Sequence, residues 1–208
     1  MPQRILVLAP HTDDGELAMG GSIAKFLEEK KEVYLATFSC ARTSLNPQMP
    51  DNTLIKEIKE AIKVLGVPEG HLLLYDYEVR KFSYNRQEIL EDLVKLRKDL
   101  QPNIIFLPSP NDLHQDHTTL SQEGVRAFKT DSILGYELPW NNITFQTQCF
   151  SVLQKSHLEK KIKALLCYKS QLHREYLNPE FIRGLAIARG VQIKVKYAEA
   201  FEVVRWKI

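Results

Sequence analysis

Cysteine is scarce in this sequence and widely scattered. Cys40, Cys149 and Cys167 are the only three, with no Cys-x-x-Cys pair among them. An odd count at such spacing argues against a disulfide framework and points to reduced thiols in a cytoplasmic protein. No apolar run approaches the ~20 residues that span a bilayer. Met1-Pro2-Gln3-Arg4 leads straight into the first apolar run, so no signal peptide is expected. Excess charge is also lacking: a formal net charge of +2 gives no reason to expect nucleic acid or an anionic membrane as partner. Repeats, low-complexity tracts and composition shifts are absent too. The 208 residues are therefore expected to form one domain, 1–208, with a variable final third.

What is present is organised around Arg4 to Glu16. Ile5 to Ala9 is an unbroken apolar run closed by Pro10, the pattern of a strand buried on both faces of a parallel sheet. His11, Asp13 and Asp14 follow directly, at the carboxyl end where open α/β sheets place their ligands. The plain alternative is a polar turn with a helix cap. Ile23, Phe26 and Leu27 recur at helical spacing after Gly20-Gly21-Ser22, and Val33 to Ser39 is a second strand, which completes a βαβ unit. The glycine pair lacks the full Gly-x-Gly-x-x-Gly spacing of a dinucleotide site.

Ala41 to Asn52 is a polar loop holding Pro47 and Pro50, with Arg42 at its root, and it should overhang the same rim. Further expected elements are a helix over 54–65 ended by Gly66, a short strand over 72–74, an amphipathic helix over 87–100, and a buried strand over 104–107. Beyond that strand, Asp112, His114, Asp116 and His117 place four metal-capable side chains within six residues. A helix to about Lys129, a strand over 133–138, a short apolar segment over 150–153 and a helix over 157–168 come next. The segment 191–197 alternates apolar and polar residues.

Two His/Asp clusters, each just past a buried strand, point to one metal site. Zinc and Fe(II) both accept mixed nitrogen and oxygen ligands, and a catalytic site keeps one position open for water. His11, Asp14 and one histidine of the second cluster would supply three ligands. Asp13 would stand free beside the water and could accept its proton. His114 could donate a proton to the leaving group or stabilise an oxyanion, with Asp116 holding its ring in one tautomer. The plain alternative for His114 and His117 is two exposed histidines on a helix face.

Pro10-His11-Thr12-Asp13-Asp14-Gly15-Glu16 resembles the opening motif of the LmbE-like, or PIG-L, family of zinc-dependent N-acetylglucosamine deacetylases. His114-Gln115-Asp116-His117 is similar to the family's His-x-Asp-His motif. Tyr168 to Gln171 and Lys196 to Phe201 resemble its later patterns. The resemblance implies a Rossmann-like α/β fold with a mostly parallel sheet flanked by helices. It implies zinc on His11, Asp14 and His117, with Fe(II) as an alternative metal, Asp13 as general base, and assistance from His114 and Asp116. It also implies a homo-oligomer, a trimer or hexamer. Thr12 stands where the family commonly has proline, and Glu16 is displaced one position by Gly15; neither change removes a ligand.

The expected activity is hydrolytic removal of an N-acetyl group from an N-acetylglucosamine-type sugar or its conjugate. The rivals are an amidase for another N-acyl group and a non-catalytic nucleotide- or sugar-binding module resting on Gly20 and Gly21. Further candidates for substrate contact are Arg42, Tyr136 and Glu199. Tyr136 has a core reading beside that one, and Glu199 could instead pair with a basic neighbour. Glu16 reads as a first-turn helix residue, and His71, His157 and His173 as surface residues.

Overall fold

The computed structural model describes residues 3–207. Strand β1 (Arg4–Ala9) lies inside a seven-stranded sheet and alternates its side chains between two cores. Ile5, Val7 and Ala9 face one core, and Leu6 and Leu8 face the other. A strand covered on both faces must be apolar throughout, which explains the unbroken run.

From β1 the chain passes through α1 (Asp14–Glu28) to β2 (Glu32–Thr37), then through α2 (Thr53–Leu65) to β3 (Leu72–Leu74). Helix α3 (Arg86–Leu100) carries it back to β4 (Ile104–Pro108), on the other side of β1. Helix α4 (Gln115–Ala127) leads to β5 (Ser132–Tyr136). The spatial order is β3-β2-β1-β4-β5-β7-β6, where β6 is Cys149–Val152 and β7 is Ala198–Arg205. Strands β1 to β5 run parallel, while β7 is antiparallel to both β5 and β6. This is the Rossmann-like, mostly parallel sheet expected from the sequence. Helices α1, α2, α5 (Lys155–Leu165) and α6 (Pro179–Gln192) share one core, and α3 and α4 share the other. The strand order reverses at β1, so the chain leaves β1 and β4 toward opposite faces. That opens a crevice at their carboxyl ends. Among the described residues no helix is long and apolar enough to cross a membrane.

Several boundaries differ from the sequence expectation for physical reasons. Helix α1 starts at Asp14, nine residues before Ile23, because Asp14 and Glu16 suit the positive end of a helix. It is two helical pieces merged across Met19, whose φ of −143° is not helical. Gly20 and Gly21 lie at this junction and are there for packing. A Cβ on Gly20 would meet Lys161 at 2.9 Å, and one on Gly21 would meet Leu153 at 2.6 Å. The alternating segment 191–197 is not a strand. Asn178 caps α6 through its side chain, the helix runs to Gln192, and the chain folds back over Gly190. There a Cβ would meet the Val195 carbonyl at 2.6 Å, so Gly190 makes the reversal possible. Gly66 ends α2 at φ +93°, as its sequence position suggests. His157 is not a surface residue: it is buried, accepts the Gln154 N–H at 3.1 Å and meets Glu28 at 2.8 Å.

Candidate metal centre and active site

The β1 tip turns sharply at Pro10, and α1 begins four residues later. This brings the Asp14 carboxylate back onto its own turn: the His11 N–H donates to Asp14 Oδ2 at 2.8 Å. The β4 tip reaches α4 through the 109–114 loop, which delivers His117 on the first turn of that helix. Three atoms then converge. His11 Nδ1 and His117 Nε2 lie 3.3 Å apart, and Asp14 Oδ2 lies 3.1 Å from the first and 3.3 Å from the second.

Carboxylates behind each ring fix its tautomer. His11 Nε2 bonds Asp116 Oδ2 at 3.1 Å, and His117 Nδ1 bonds Asp112 Oδ2 at 2.8 Å. A neutral imidazole has one N–H and one lone pair. With the outer nitrogens donating to carboxylates, the inner nitrogens present lone pairs to each other and to Asp14. Three lone pairs facing one another at this distance repel unless a cation sits among them. Metal bonds of about 2.0–2.1 Å in tetrahedral geometry separate donor atoms by about 3.3 Å, so the donor set fits zinc. A proton is the other cation available. Burial opposes it, yet the Asp14 and Asp112 carboxylates push the His117 ring up to about 10. Burial likewise opposes ionisation of Asp14, but the two imidazoles hold its carboxyl far below the usual range.

His114 completes a cluster of three imidazoles whose donor atoms lie within 4.8 Å of one another. Its ring centroid is 4.6 Å from that of His117 and 5.0 Å from that of His11. His114 is also the N-cap of α4: its Nδ1 accepts the Asp116 N–H at 3.2 Å. The proton of the neutral ring therefore sits on Nε2. Burial and the two neighbouring rings hold His114 below its ordinary pKa, so it stays neutral and keeps that donor. The cluster of three imidazoles and the set with Asp14 overlap in His11 and His117. Because Nδ1 of His114 is spent on the cap, the set with Asp14 is the better ligand face.

Asp116 does not orient His114 through its carboxylate, as the sequence suggests. It is fully buried and takes His11 Nε2, the Arg80 N–H at 2.5 Å and the Phe82 N–H at 3.3 Å. Only its own N–H touches His114. Asp13 is the N-cap residue of α1, but its side chain makes no cap bond. It lines the cleft with burial and the adjacent Asp14 raising its carboxyl to about 6. Behind this turn the buried Tyr168 hydroxyl bonds the Thr12 carbonyl and Glu16 Oε1, the latter at 2.7 Å.

The cleft holds about 260 Å³, just below the roughly 300 Å³ at which small-molecule sites begin. Ala41 and Ser44 line it, so the root of the 41–52 loop does overhang the site. Three expected contacts lie elsewhere. Arg42 pairs with Asp76 at 3.2 Å and lines a neighbouring groove. Tyr136 is buried, and its hydroxyl donates to the Leu8 carbonyl at 2.9 Å, which leaves it the core tyrosine of the alternative reading. Glu199 is buried against α1 and pairs with Lys161 at 2.7 Å. The sequence reading missed the cleft positions of Arg80, Trp140, Arg174 and Tyr176. None belongs to a motif; Trp140 and Tyr176 meet only in three dimensions, stacked at 4.3 Å.

A model of the family described as PIG-L, GlcNAc-PI de-N-acetylase, matches residues 6–128. A curated protein of Escherichia coli (strain K12), described as the uncharacterized deacetylase YaiS, is 30% identical over 172 residues, which is 80% of this chain and 90% of that protein. Among solved structures, the N,N'-diacetylchitobiose deacetylase from Pyrococcus horikoshii superposes with a TM-score of 0.82 at 21% identity, covering 97% of this chain and 84% of that one. GalB, the 4-carboxy-2-hydroxymuconate hydratase from Pseudomonas putida KT2440, superposes with a TM-score of 0.80 at 19% identity, covering 99% and 98%. The last two likenesses establish the fold, and the hydratase shows that this fold carries more than one chemistry.

Proposed function

The chain belongs to the PIG-L family, and on that premise we propose that it is a metal-dependent deacetylase of one domain that removes the N-acetyl group from an N-acetylglucosamine-type sugar or its conjugate. The observation that carries the reading is the convergence of His11 Nδ1, Asp14 Oδ2 and His117 Nε2 within 3.3 Å. These three would hold the metal, zinc in the first instance and Fe(II) as the alternative. A metal bound there supplies Lewis acidity toward the acetyl carbonyl and toward a water molecule.

The protein's own groups do the rest. Asp13, free of cap and ligand duties, takes a proton from the attacking water at its carboxylate. His114, with its proton on Nε2, donates to the carbonyl oxygen as negative charge develops there. Asp116 and Asp112 keep His11 and His117 in the tautomers that present lone pairs. Asp13 then returns the proton to the departing nitrogen, and the products are acetate and the free amine. The glycine pair lends nothing to a nucleotide-binding module, since Gly20 and Gly21 pack against Lys161 and Leu153 inside a helix. An assembly of three or six copies and a cytoplasmic location belong to the same reading. The first is supported by the family resemblance, the second by three unpaired cysteines. The test is acetate release from a panel of N-acetylated sugars and glycosides, with metal analysis of the same preparation. Stoichiometric divalent metal and released acetate are expected; tight metal with no amide hydrolysis on any N-acyl substrate would contradict the reading.

A further inference from the structure

The chain has ten arginines. Seven of them form ion pairs with carboxylates. Among the described residues Arg80, Arg174 and Arg205 do not, and two of these three, Arg80 and Arg174, line the metal cleft. They come from separate segments, one after β3 and one before α6.

Buried groups hold the backbone of the first and one corner of the second's side chain. Arg80 sits at φ +68°, a left-handed conformation that costs a non-glycine residue energy. It is kept there by its N–H bond to Asp116, the fully buried carboxylate that also orients His11. The backbone that aims Arg80 is thus fixed by the same group that aims a metal ligand. Arg174 is anchored at one corner: its Nε donates to Gln171 Oε1 at 3.4 Å. Gln171 is buried and donates to Ser170 Oγ at 3.0 Å, and Ser170 donates to Glu57 at 2.6 Å. Among the described residues, the two terminal nitrogens of Arg174 have no hydrogen-bond partner. Arg174 thus offers an anchored guanidinium with a free end and Arg80 one that springs from a fixed backbone; such groups suit carboxylate and phosphate oxygens, which they bind through paired hydrogen bonds. Among the described residues, the only carboxylates lining the cleft are Asp13 and Asp14. A divalent metal would offset those two carboxylates, and Asp112 and Asp116 lie behind the imidazoles, so the unpaired charge facing the cleft is that of the two guanidinium groups.

We propose that Arg80 and Arg174 form an anion-binding pair in the cleft, and that the preferred substrate is an N-acetylated sugar carrying a phosphate or carboxylate group. This rests on the deacetylase reading and names its substrate class. The test compares N-acetylglucosamine, N-acetylglucosamine 6-phosphate, N-acetylglucosamine 1-phosphate and N-acetylmuramic acid as substrates of the metal-loaded enzyme. At least one anionic sugar should exceed the neutral one in kcat/KM by about tenfold or more. Whether a phosphate or the muramic carboxylate gains most identifies the anion. Arg80→Gln and Arg174→Gln should each collapse that ratio, chiefly through KM. A neutral sugar turned over as well as every anionic one, or a ratio untouched by both substitutions, would overturn the proposal. If no sugar releases acetate, the deacetylase reading fails, and calorimetry on the metal-loaded protein still decides the anion question. Glucosamine 6-phosphate should then bind more tightly than glucosamine, with the advantage lost in both variants. Equal binding, or an advantage that both variants retain, would overturn it.

Discussion

Two clusters of buried charge flank helix α1, and they differ in where their lone pairs go. At the helix start, His11, Asp14 and His117 aim unshared electron pairs at one another across an open cleft. At the Met19 break, the Glu199 carboxylate from β7 enters the second helical piece. It accepts the Gly21 N–H at 3.1 Å, the Ser22 N–H at 2.7 Å, the Ser22 hydroxyl at 2.5 Å and Lys161 Nζ at 2.7 Å. Every oxygen there is satisfied within the protein. The second cluster is a cap and an ion pair that bind α1, α5 and β7 together. The first is incomplete without a cation. Both are acidic groups at the start of a helical segment, so residue type alone does not separate them. What separates a structural charge from a functional one here is whether its partners are all protein.

This contrast can be broken from either side. The largest effect is expected at the open cluster. His117→Ala removes one of the three proposed ligands, so metal content of dialysed protein and activity should both fall to near background while the fold persists. Full metal in that variant would remove His117 from the ligand set. At the closed cluster the cost should appear in stability and not in metal. Glu199→Ala leaves Lys161 buried without its partner and should lower the unfolding free energy by about 3–5 kcal/mol. Denaturant titration measures it; a loss below about 1 kcal/mol would mean that the pair behaves as a surface ion pair.

Next in size is a pH effect confined to the open cluster. Asp13 must be ionised to act as base, and its raised carboxyl, at about 6, is protonated as pH falls. A bound cation pulls the value down, so the acid limb of kcat/KM should lie at or below pH 6 and be absent in Asp13→Asn. An acid limb that survives this substitution would belong to another group. Smallest is a change at the rim. A short Gly/Ser linker in place of residues 41–52 should leave metal and fold intact but shift substrate preference, because Ala41 and Ser44 line the cleft. An unchanged substrate profile would mean that the loop touches nothing that matters for binding.

The parallel half of the sheet was legible because each strand there is buried on both faces and reads as a short apolar run. Ile5 to Ala9 and Ile104 to Leu107 needed no further context. That His11, Asp14 and His117 come together was legible for a related reason. Two runs that end in His and Asp must release those side chains at the same edge of a parallel sheet. The partners behind the two imidazoles were not legible. That Asp116 serves His11 rather than His114 depends on a contact between residues 105 apart in sequence. Tyr136 and Glu199 look alike in sequence to residues that line sites, but β5 and β7 turn their side chains into the interior, where Leu8, Gly21 and Ser22 supply partners. The alternation over 191–197 decides nothing by itself, because seven such residues also fit the last turn of a helix and the turn after it, which is what they form here.

In the proposed mechanism two adjacent carboxylates, Asp13 and Asp14, have different duties at one metal. Asp13→Asn and Asp14→Asn, assayed side by side for metal content and steady-state kinetics, test it most directly. Asp13→Asn should keep its metal and lose about 10²–10⁴-fold in kcat with KM little changed, since it removes only the proton acceptor. Asp14→Asn should lose metal first. Full activity in Asp13→Asn, or metal lost from it while Asp14→Asn stays loaded, would contradict the assignment.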